Sequence, residues 1–269
     1  MSRQVFFISD RTGITAETLG GSLLTQFPNI EFIRTNIPFV TSEHAARSAA
    51  EQITKVMDTS PEPPLVFSTL TDPRARKIIA ASSPLVFDLF GTFVENLEKA
   101  LHCESSHTPG QMHGISDSGS YENRLHALNY TLGHDDGLNP RDLSKADIVL
   151  LGVSRCGKTP TCLYLAMHYS LRAANYPLTE DDFGKFQLSE LLGRIRGKLY
   201  GLTIVPEQLS HIRRERRPNG TYSHLEQCRY EIERAEKLFL TEKIPYMDTT
   251  TVSIEEIAAT IVRDKRLRQ

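Results

Sequence analysis

Short apolar segments alternate with helical patterns along this chain, and that alternation limits its fold more than any other feature. In the N-terminal half, strands are predicted at residues 4–9, 31–37, 64–68 and 85–88. A helical pattern lies between each pair of strands, as at residues 41–57. Alternation at this spacing is typical of a parallel sheet covered by helices. We therefore predict an α/β fold.

The alternation resumes in the C-terminal half with a strand at residues 146–151, after a stretch of different composition. Residues 102–140 contain five histidines among Ser, Gly and Asp, which we interpret as a long loop around one helix. The histidine spacing matches no compact metal-ligand pattern. Because 269 residues is nearly twice a domain of about 100–150 residues, we predict two domains, at 1–140 and 141–269. We find no internal sequence repeat.

Composition and charge exclude several classes of function. Lys and Arg total 31 against 33 for Asp and Glu, so no overall positive field exists to attract nucleic acid. The apolar stretches are far shorter than the roughly 18 residues that cross a membrane, and we expect no membrane segment. The N-terminus becomes polar too soon for a secretory signal, so we expect a cytoplasmic protein. Four cysteines without a CxxC pair are interpreted as free thiols.

One motif in the second half carries a specific chemistry. It comprises Gly152, Val153, Ser154, Arg155, Cys156, Gly157, Lys158 and Thr159. These residues match the P-loop (Walker A) pattern G-x-x-x-x-G-K-[ST] between an apolar strand and a helical pattern. The pattern predicts that the loop N–H groups and Lys158 bind nucleotide phosphates, while the Thr159 hydroxyl binds Mg²⁺. The second domain is therefore predicted to be a P-loop, kinase-like α/β domain.

Cys156 lies within this motif and has two interpretations. An electropositive loop could lower its pKa and make the thiol reactive. The simpler interpretation, which we favour, is a small residue chosen to fit the loop.

The acid that such a site needs is not at the end of the next predicted strand, residues 199–205. Asp135 and Asp136, just upstream of the motif strand, are candidates to support the metal or to act as a base. An Asp-Asp-Gly sequence is equally typical of a turn. Asp248, after the last predicted strand, is a weaker candidate because it could simply cap a turn.

Two further polar segments remain open to interpretation. A basic helical pattern contains four arginines within five positions: Arg213, Arg214, Arg216 and Arg217. They could bind phosphate through their planar guanidinium groups or form a solvated helix face. Residues 10–13, after the first strand, form another strand-to-helix turn where a ligand could bind, although the signal is weak.

The motif at 152–161 resembles the signature of the phosphoenolpyruvate synthase regulatory proteins, which are related to plant-type regulators of pyruvate, phosphate dikinase. Further matching stretches lie at residues 9–18, 88–93, 134–137 and 253–258. The dikinase regulators usually have Ser in place of Gly157, so the intact Gly157-Lys158 pair favours the synthase branch. Arg11 stands where Gly is common in the family.

The resemblance implies a bifunctional enzyme. Such an enzyme phosphorylates a threonine of phosphoenolpyruvate synthase with ADP as donor, releases AMP and inactivates the synthase. It restores activity by using inorganic phosphate to remove the group as pyrophosphate. The residues alone predict only a P-loop phosphotransferase, with Lys158, Asp135 and Asp136 as catalytic candidates and Mg²⁺ as cofactor. A small-molecule kinase and a non-catalytic nucleotide sensor remain alternatives, and the chain could act as a monomer or a homodimer.

Overall fold

The structure, a computed structural model, describes residues 2–106, 108, 118–135, 140–185, 190–216 and 220–267. The chain forms two compact units, Met1–Gly114 and Ile115–Gln269. This division lies earlier than the predicted boundary at residue 140. The reason is the helix at Ser118–Gly133, which packs against a helix and a strand of the second unit.

The first unit is a four-stranded parallel sheet with the strand order β2-β1-β3-β4. Its strands are β1 (Ser2–Ile8), β2 (Glu31–Ile37), β3 (Leu65–Ser68) and β4 (Val86–Asp88), and its helices are α1 (Ile14–Leu24), α2 (Glu43–Thr59), α3 (Pro73–Ala80) and α4 (Leu89–Leu101). Strand β1 is central, and its alternate residues enter two separate cores. Phe6 and Ile8 pack in one core, while Val5 and Phe7 pack in the other.

Local signals explain where the helices of this unit begin. The Ser42 side chain caps α2 by accepting a hydrogen bond from the backbone N–H of Ala45. Asp72 caps α3 in the same way, and Pro73 follows it at the first helical position. Asp88 caps α4, a helix that is not among the predicted elements.

The second unit is also a four-stranded parallel sheet, with the order β6-β5-β7-β8. Its strands are β5 (Ile148–Gly152), β6 (Ala173–Pro177), β7 (Leu199–Thr203) and β8 (Tyr246–Asp248), and its helices are α5 (Ser118–Gly133), α6 (Lys158–Tyr169), α7 (Glu180–Lys185), α8 (Glu190–Arg194), α9 (Pro206–Arg216), α10 (Leu225–Thr241) and α11 (Ile254–Asp264). Each sheet thus places its first strand between its second and third. The two units share a strand order although their sequences show no repeat.

The predicted parallel α/β architecture is confirmed, with differences at element ends. The sequence pattern predicts that the helix after the motif runs from Lys158 to about residue 173, but α6 ends at Tyr169 because Ser170 adopts a left-handed backbone conformation with φ of 55°. The sequence Ser-Ile-Glu-Glu at residues 253–256 predicts a capping box at the last helix, and Ser253 and Glu256 form it. Among the described residues, no helix is both long and apolar enough to cross a membrane.

Candidate functional site

The loop at residues 152–159 joins the buried strand β5 to helix α6, as the motif predicts. Gly157 has a φ of 92°, a left-handed conformation that glycine adopts without steric cost. A Cβ atom at Gly152 would lie 2.4 Å from the backbone oxygen of Leu202 and 2.7 Å from Cys156 Sγ. The first glycine is therefore required by close packing, and the second by the backbone turn.

Side chains from outside the loop hold two of its backbone carbonyl groups. Arg213 Nη2 donates to the Ser154 oxygen at 3.1 Å, and Thr249 Oγ1 donates to the Cys156 oxygen at 3.1 Å. In a trans peptide, the N–H group points opposite to the carbonyl that precedes it. The N–H groups of Arg155 and Gly157 therefore point away from these donors, and neither has an acceptor among the described residues. Inward N–H groups beside a helix N-terminus form a site suited to an anion.

Lys158 places a positive charge inside this loop. Its Nζ donates to the Val153 oxygen at 2.8 Å, and the side chain is only 4% exposed. No carboxylate of the described residues forms an ion pair with it. A buried ammonium group without a carboxylate partner favours an anionic ligand.

Asp135 lies directly beside the first turn of α6. Thr159 Oγ1 donates to Asp135 Oδ1 at 2.9 Å. Asn175 Nδ2, from the adjacent strand β6, donates to the same carboxylate oxygen at 2.6 Å and to Thr159 Oγ1 at 3.0 Å. The structure thus brings together the predicted metal-binding hydroxyl and one of the two predicted acids.

A family comparison adds independent information about this arrangement. The model of the family described as kinase/pyrophosphorylase matches residues 5–262, nearly the whole chain. The chain belongs to this kinase/pyrophosphorylase family. The match covers both units, so the resemblance drawn from the motifs is confirmed.

Curated members of the kinase/pyrophosphorylase family are similar to this chain over almost their full length. A protein of Marinobacter nauticus is 48% identical over 262 residues, which is 97% of each chain. A protein of Alkalilimnicola ehrlichii is 49% identical over 267 residues, or 99% of this chain and 97% of the relative. A protein of Bordetella pertussis is 47% identical over 269 residues, covering 100% of this chain and 98% of the relative. Each is named "Putative phosphoenolpyruvate synthase regulatory protein".

Of the other two predicted acids, the structure describes only Asp248. Asp248 Oδ1 accepts a hydrogen bond from the Thr250 backbone N–H at 2.8 Å, and also one from the Thr250 hydroxyl. It therefore caps the turn after β8, as the simpler interpretation held. Asp136 lies outside the described residues.

Arg213 differs from the other described arginines of the basic stretch in this kinase/pyrophosphorylase chain, because it contributes to neither a solvated face nor an exposed phosphate-binding surface. The Arg213 side chain is fully buried, and its Nη2 lies 2.6 Å from Glu231 Oε2. Its guanidinium also stacks over the Tyr222 ring at 4.1 Å. Arg214 and Arg216 are exposed, whereas Arg217 lies outside the described residues. Arg213 thus supports the loop from behind.

Burial decides between the two interpretations of Cys156. Desolvation raises the pKa of its thiol, although the nearby Lys158 charge acts in the opposite direction. A raised pKa keeps the sulfur protonated and unreactive at neutral pH. Cys156 therefore fits the packing interpretation that the sequence favours, and the alternative of a lowered pKa is not supported.

The turn after β1 contains Asp10, whose carboxylate forms hydrogen bonds within the fold. Asp10 Oδ2 accepts hydrogen bonds from the Thr71 backbone N–H at 3.0 Å and from the Thr71 hydroxyl at 2.7 Å. This carboxylate ties the end of β1 to the segment after β3. The side-chain contacts of Asp10 are explained without a ligand.

Sequence reasoning missed three residues that shape the site: Asn175, Tyr222 and Thr249. Tyr222 donates through its hydroxyl to Ser154 Oγ at 2.8 Å. Asn175 carried one available signal, since it is a polar residue inside an otherwise apolar strand. Tyr222 and Thr249 carried none, because they lie 68 and 93 residues from the loop atoms that they contact.

Proposed function

We propose that this chain is a bifunctional regulator of phosphoenolpyruvate synthase that works in the cytoplasm. In one direction it transfers the β-phosphoryl group of ADP to a threonine hydroxyl of the synthase, which yields phosphothreonine and AMP and inactivates the synthase. In the other direction inorganic phosphate attacks the phosphothreonine, which yields pyrophosphate and free threonine. The observation that carries the proposal is the hydrogen bond between Thr159 and Asp135, next to Lys158 in the loop at residues 152–159.

The names of the relatives and the family description support both halves of this proposal. The relatives' printed name links them to regulation of phosphoenolpyruvate synthase. The family description pairs a kinase with a pyrophosphorylase. The use of ADP as the donor and of inorganic phosphate in the removal step is what our proposal adds to that pairing.

The loop residues supply charge and position. The N–H groups of Arg155 and Gly157 and the ammonium of Lys158 bind the phosphoryl oxygens, whose negative charge must be balanced during transfer. Asp135 lies beside the same loop and accepts hydrogen bonds only through its carboxylate oxygens. We propose that it supports the metal or receives the proton of the attacking hydroxyl.

The donor set fits Mg²⁺. Thr159 directs its hydroxyl proton to Asp135, so a lone pair of Oγ1 remains for a cation. Mg²⁺ commonly takes one or two protein oxygens and completes its shell with phosphates and water. Bound Mg²⁺ would neutralise charge on the transferring phosphates.

One loop is proposed to serve both reactions. In transfer, the α- and β-phosphates of ADP occupy neighbouring subsites, with the β-phosphate at Lys158. In removal, inorganic phosphate occupies the α-subsite and the phosphothreonine group occupies the β-subsite. The pyrophosphate that forms then occupies the same two subsites as the diphosphate of ADP, without the nucleoside.

Incubation of the protein with phosphoenolpyruvate synthase and ADP labelled at the β-phosphate tests the proposal. We expect label on a synthase threonine, and release of that label as pyrophosphate when phosphate is added. AMP should compete with phosphate in the second step. Label on a small molecule would instead identify a small-molecule kinase, and nucleotide binding without transfer would identify a sensor.

A further inference from the structure

Asn175 is a buried amide in an apolar part of strand β6. It is 2% exposed, and it follows two fully buried alanines, Ala173 and Ala174. A buried amide costs free energy unless it is hydrogen-bonded, so an apolar residue would suit the strand better if packing were the only requirement. The polar contacts of this side chain therefore need an explanation.

Asn175 attaches the segment before the loop strand at two points. Its backbone N–H donates to the His134 oxygen at 3.1 Å, and its side chain donates to Asp135 Oδ1 at 2.6 Å. Two consecutive residues are thereby fixed to the sheet. The position of the Asp135 carboxylate is set by a regular strand rather than by a turn.

The hydrogen-bond chemistry of the three side chains fixes where each proton lies. The Asp135 carboxylate only accepts, and the Asn175 NH₂ group only donates. The Thr159 hydroxyl therefore gives its proton to Asp135 and accepts from Asn175 with one lone pair. The second lone pair of Thr159 Oγ1 therefore points in one fixed direction.

We propose that Asn175 is a positioning residue for the phosphoryl-transfer site, which fixes the Asp135 carboxylate and the free lone pair of Thr159. The inference rests on the proposed function and deepens it. It assigns the orientation of the cation and the nucleotide to Asn175, which acts on them through Asp135 and Thr159. Without the amide, the Asp135 carboxylate loses one of its donors and can reorient, and the Thr159 hydroxyl that donates to it reorients with it. The lone pair then points toward the cation for only part of the time.

The test measures ADP binding by calorimetry with and without Mg²⁺, on the full-length wild type and on Asn175→Leu. Leucine keeps most of the volume and removes the donor. Partners that orient a metal ligand commonly contribute about 10- to 100-fold to metal affinity. We therefore expect the Mg²⁺-dependent gain in ADP affinity to fall about tenfold, with affinity in the absence of Mg²⁺ unchanged within about twofold.

Thr131→Val is the matched control. Thr131 Oγ1 accepts a hydrogen bond from the Ala173 N–H at 3.3 Å and so joins α5 to the same strand. It is buried like Asn175, but in the described part of the chain it forms no hydrogen bond with Thr159. We expect this variant to bind ADP as the wild type does under both conditions.

A second comparison keeps the inference testable if leucine prevents folding. In a cycle of Asn175→Ala, Thr159→Val and the double variant, the loss in Mg²⁺-dependent ADP affinity should not be additive. The double variant should lose less than the sum of the two single losses, since both changes act on the Thr159 hydroxyl.

The outcomes separate failure of the positioning role from failure of the proposed function. Equal losses of ADP affinity with and without Mg²⁺ in Asn175→Leu, or fully additive losses in the cycle, would overturn the positioning role. An unchanged Mg²⁺ effect in a folded Asn175→Leu would overturn it as well. A wild type that binds no ADP would instead refute the proposed function.

Discussion

Arg213 and Ser154 are joined by a hydrogen bond of 3.1 Å between a fully buried guanidinium and a loop carbonyl. The same guanidinium pairs with Glu231, so helices α9 and α10 and the loop share one buried charge. The loop conformation thus depends on an ion pair that lies outside it. This dependence leads to the first prediction.

Arg213→Ala should destabilise the protein by about 3 kcal/mol, because it leaves the Glu231 carboxylate without its cationic partner and the Ser154 carbonyl without its donor. Arg213→Met combined with Glu231→Met should recover much of that stability, since an apolar pair replaces a buried ion pair. ADP affinity should stay reduced in the double variant, because the loop anchor is still missing. Chemical denaturation and ADP calorimetry measure the two effects.

Arg214→Ala is the control for that experiment. Arg214 is the exposed neighbour, and its removal should change stability by no more than about 0.5 kcal/mol. A double variant that regains both stability and full ADP affinity would show that the loop keeps its shape without Arg213.

Lys158→Met should lower transfer of labelled phosphoryl groups in both directions by at least about 100-fold. The melting temperature should be unchanged or raised, because the variant removes an ammonium group that is buried without a carboxylate partner. Retained removal of phosphate from phosphothreonine, with transfer abolished, would require a second phosphate site.

Asp135→Asn should reduce turnover strongly while nucleotide binding survives, since a base or metal-supporting acid acts mainly in the transition state. The matched control is Asp248→Asn, at a turn-capping carboxylate that is exposed. Steady-state kinetics should show a loss for Asp135→Asn alone. Equal losses in the two variants would point to a general effect of charge instead.

Asp136→Asn belongs in the same series, as the neighbouring sequence-predicted acid. A loss of turnover as large as that of Asp135→Asn, or larger, would mean that the pair acts together. Full activity in the variant that combines Asp135→Asn with Asp136→Asn would favour the interpretation of this sequence as a turn without a catalytic role.

Alkylation of the folded protein by iodoacetamide should modify Cys103 much faster than Cys156 at pH 7–8. Cys103 is exposed, whereas burial raises the pKa of the Cys156 thiol. A raised pKa lowers the thiolate fraction at every pH below it, so the difference should persist as the pH rises past the pKa of an ordinary thiol, about 8.5. Mass spectrometry of the digested protein reports each site. Rapid modification of Cys156 would contradict this assignment.

The fold was largely predictable because its signals are local. Strand β5 is a continuous buried run, and the glycines, capping residues and apolar periodicity around it mark neighbouring turns and helices. Helix α4 is not among the predicted elements, although Phe93, Leu97 and Leu101 recur at the four-residue spacing of an amphipathic helix. In the structure these three side chains are exposed, and Gly91 is the only buried residue of the helix.

The candidate site was predictable only in part, for a related reason. The loop itself is a short contiguous motif, and its residue types follow from phosphate chemistry. Its supports come from distant segments: Arg213 from α9, Thr249 after β8, and Asn175 from β6. Whether an arginine faces solvent or a carbonyl depends on tertiary packing, which residue spacing does not encode. The sequence therefore identifies the basic stretch but does not predict that Arg213 is buried against the loop.

The distances along the chain between the loop and its anchors have a consequence for synthesis on the ribosome. Ser154 is synthesised 59 residues before its partner Arg213 and 68 residues before its partner Tyr222. Cys156 is synthesised 93 residues before its partner Thr249. Domains fold as units and the N-terminal one folds first as the chain emerges. A nascent chain that has exposed the complete loop motif still lacks these three anchors. The first unit can fold well before then, so the candidate site is among the last parts of the protein to mature.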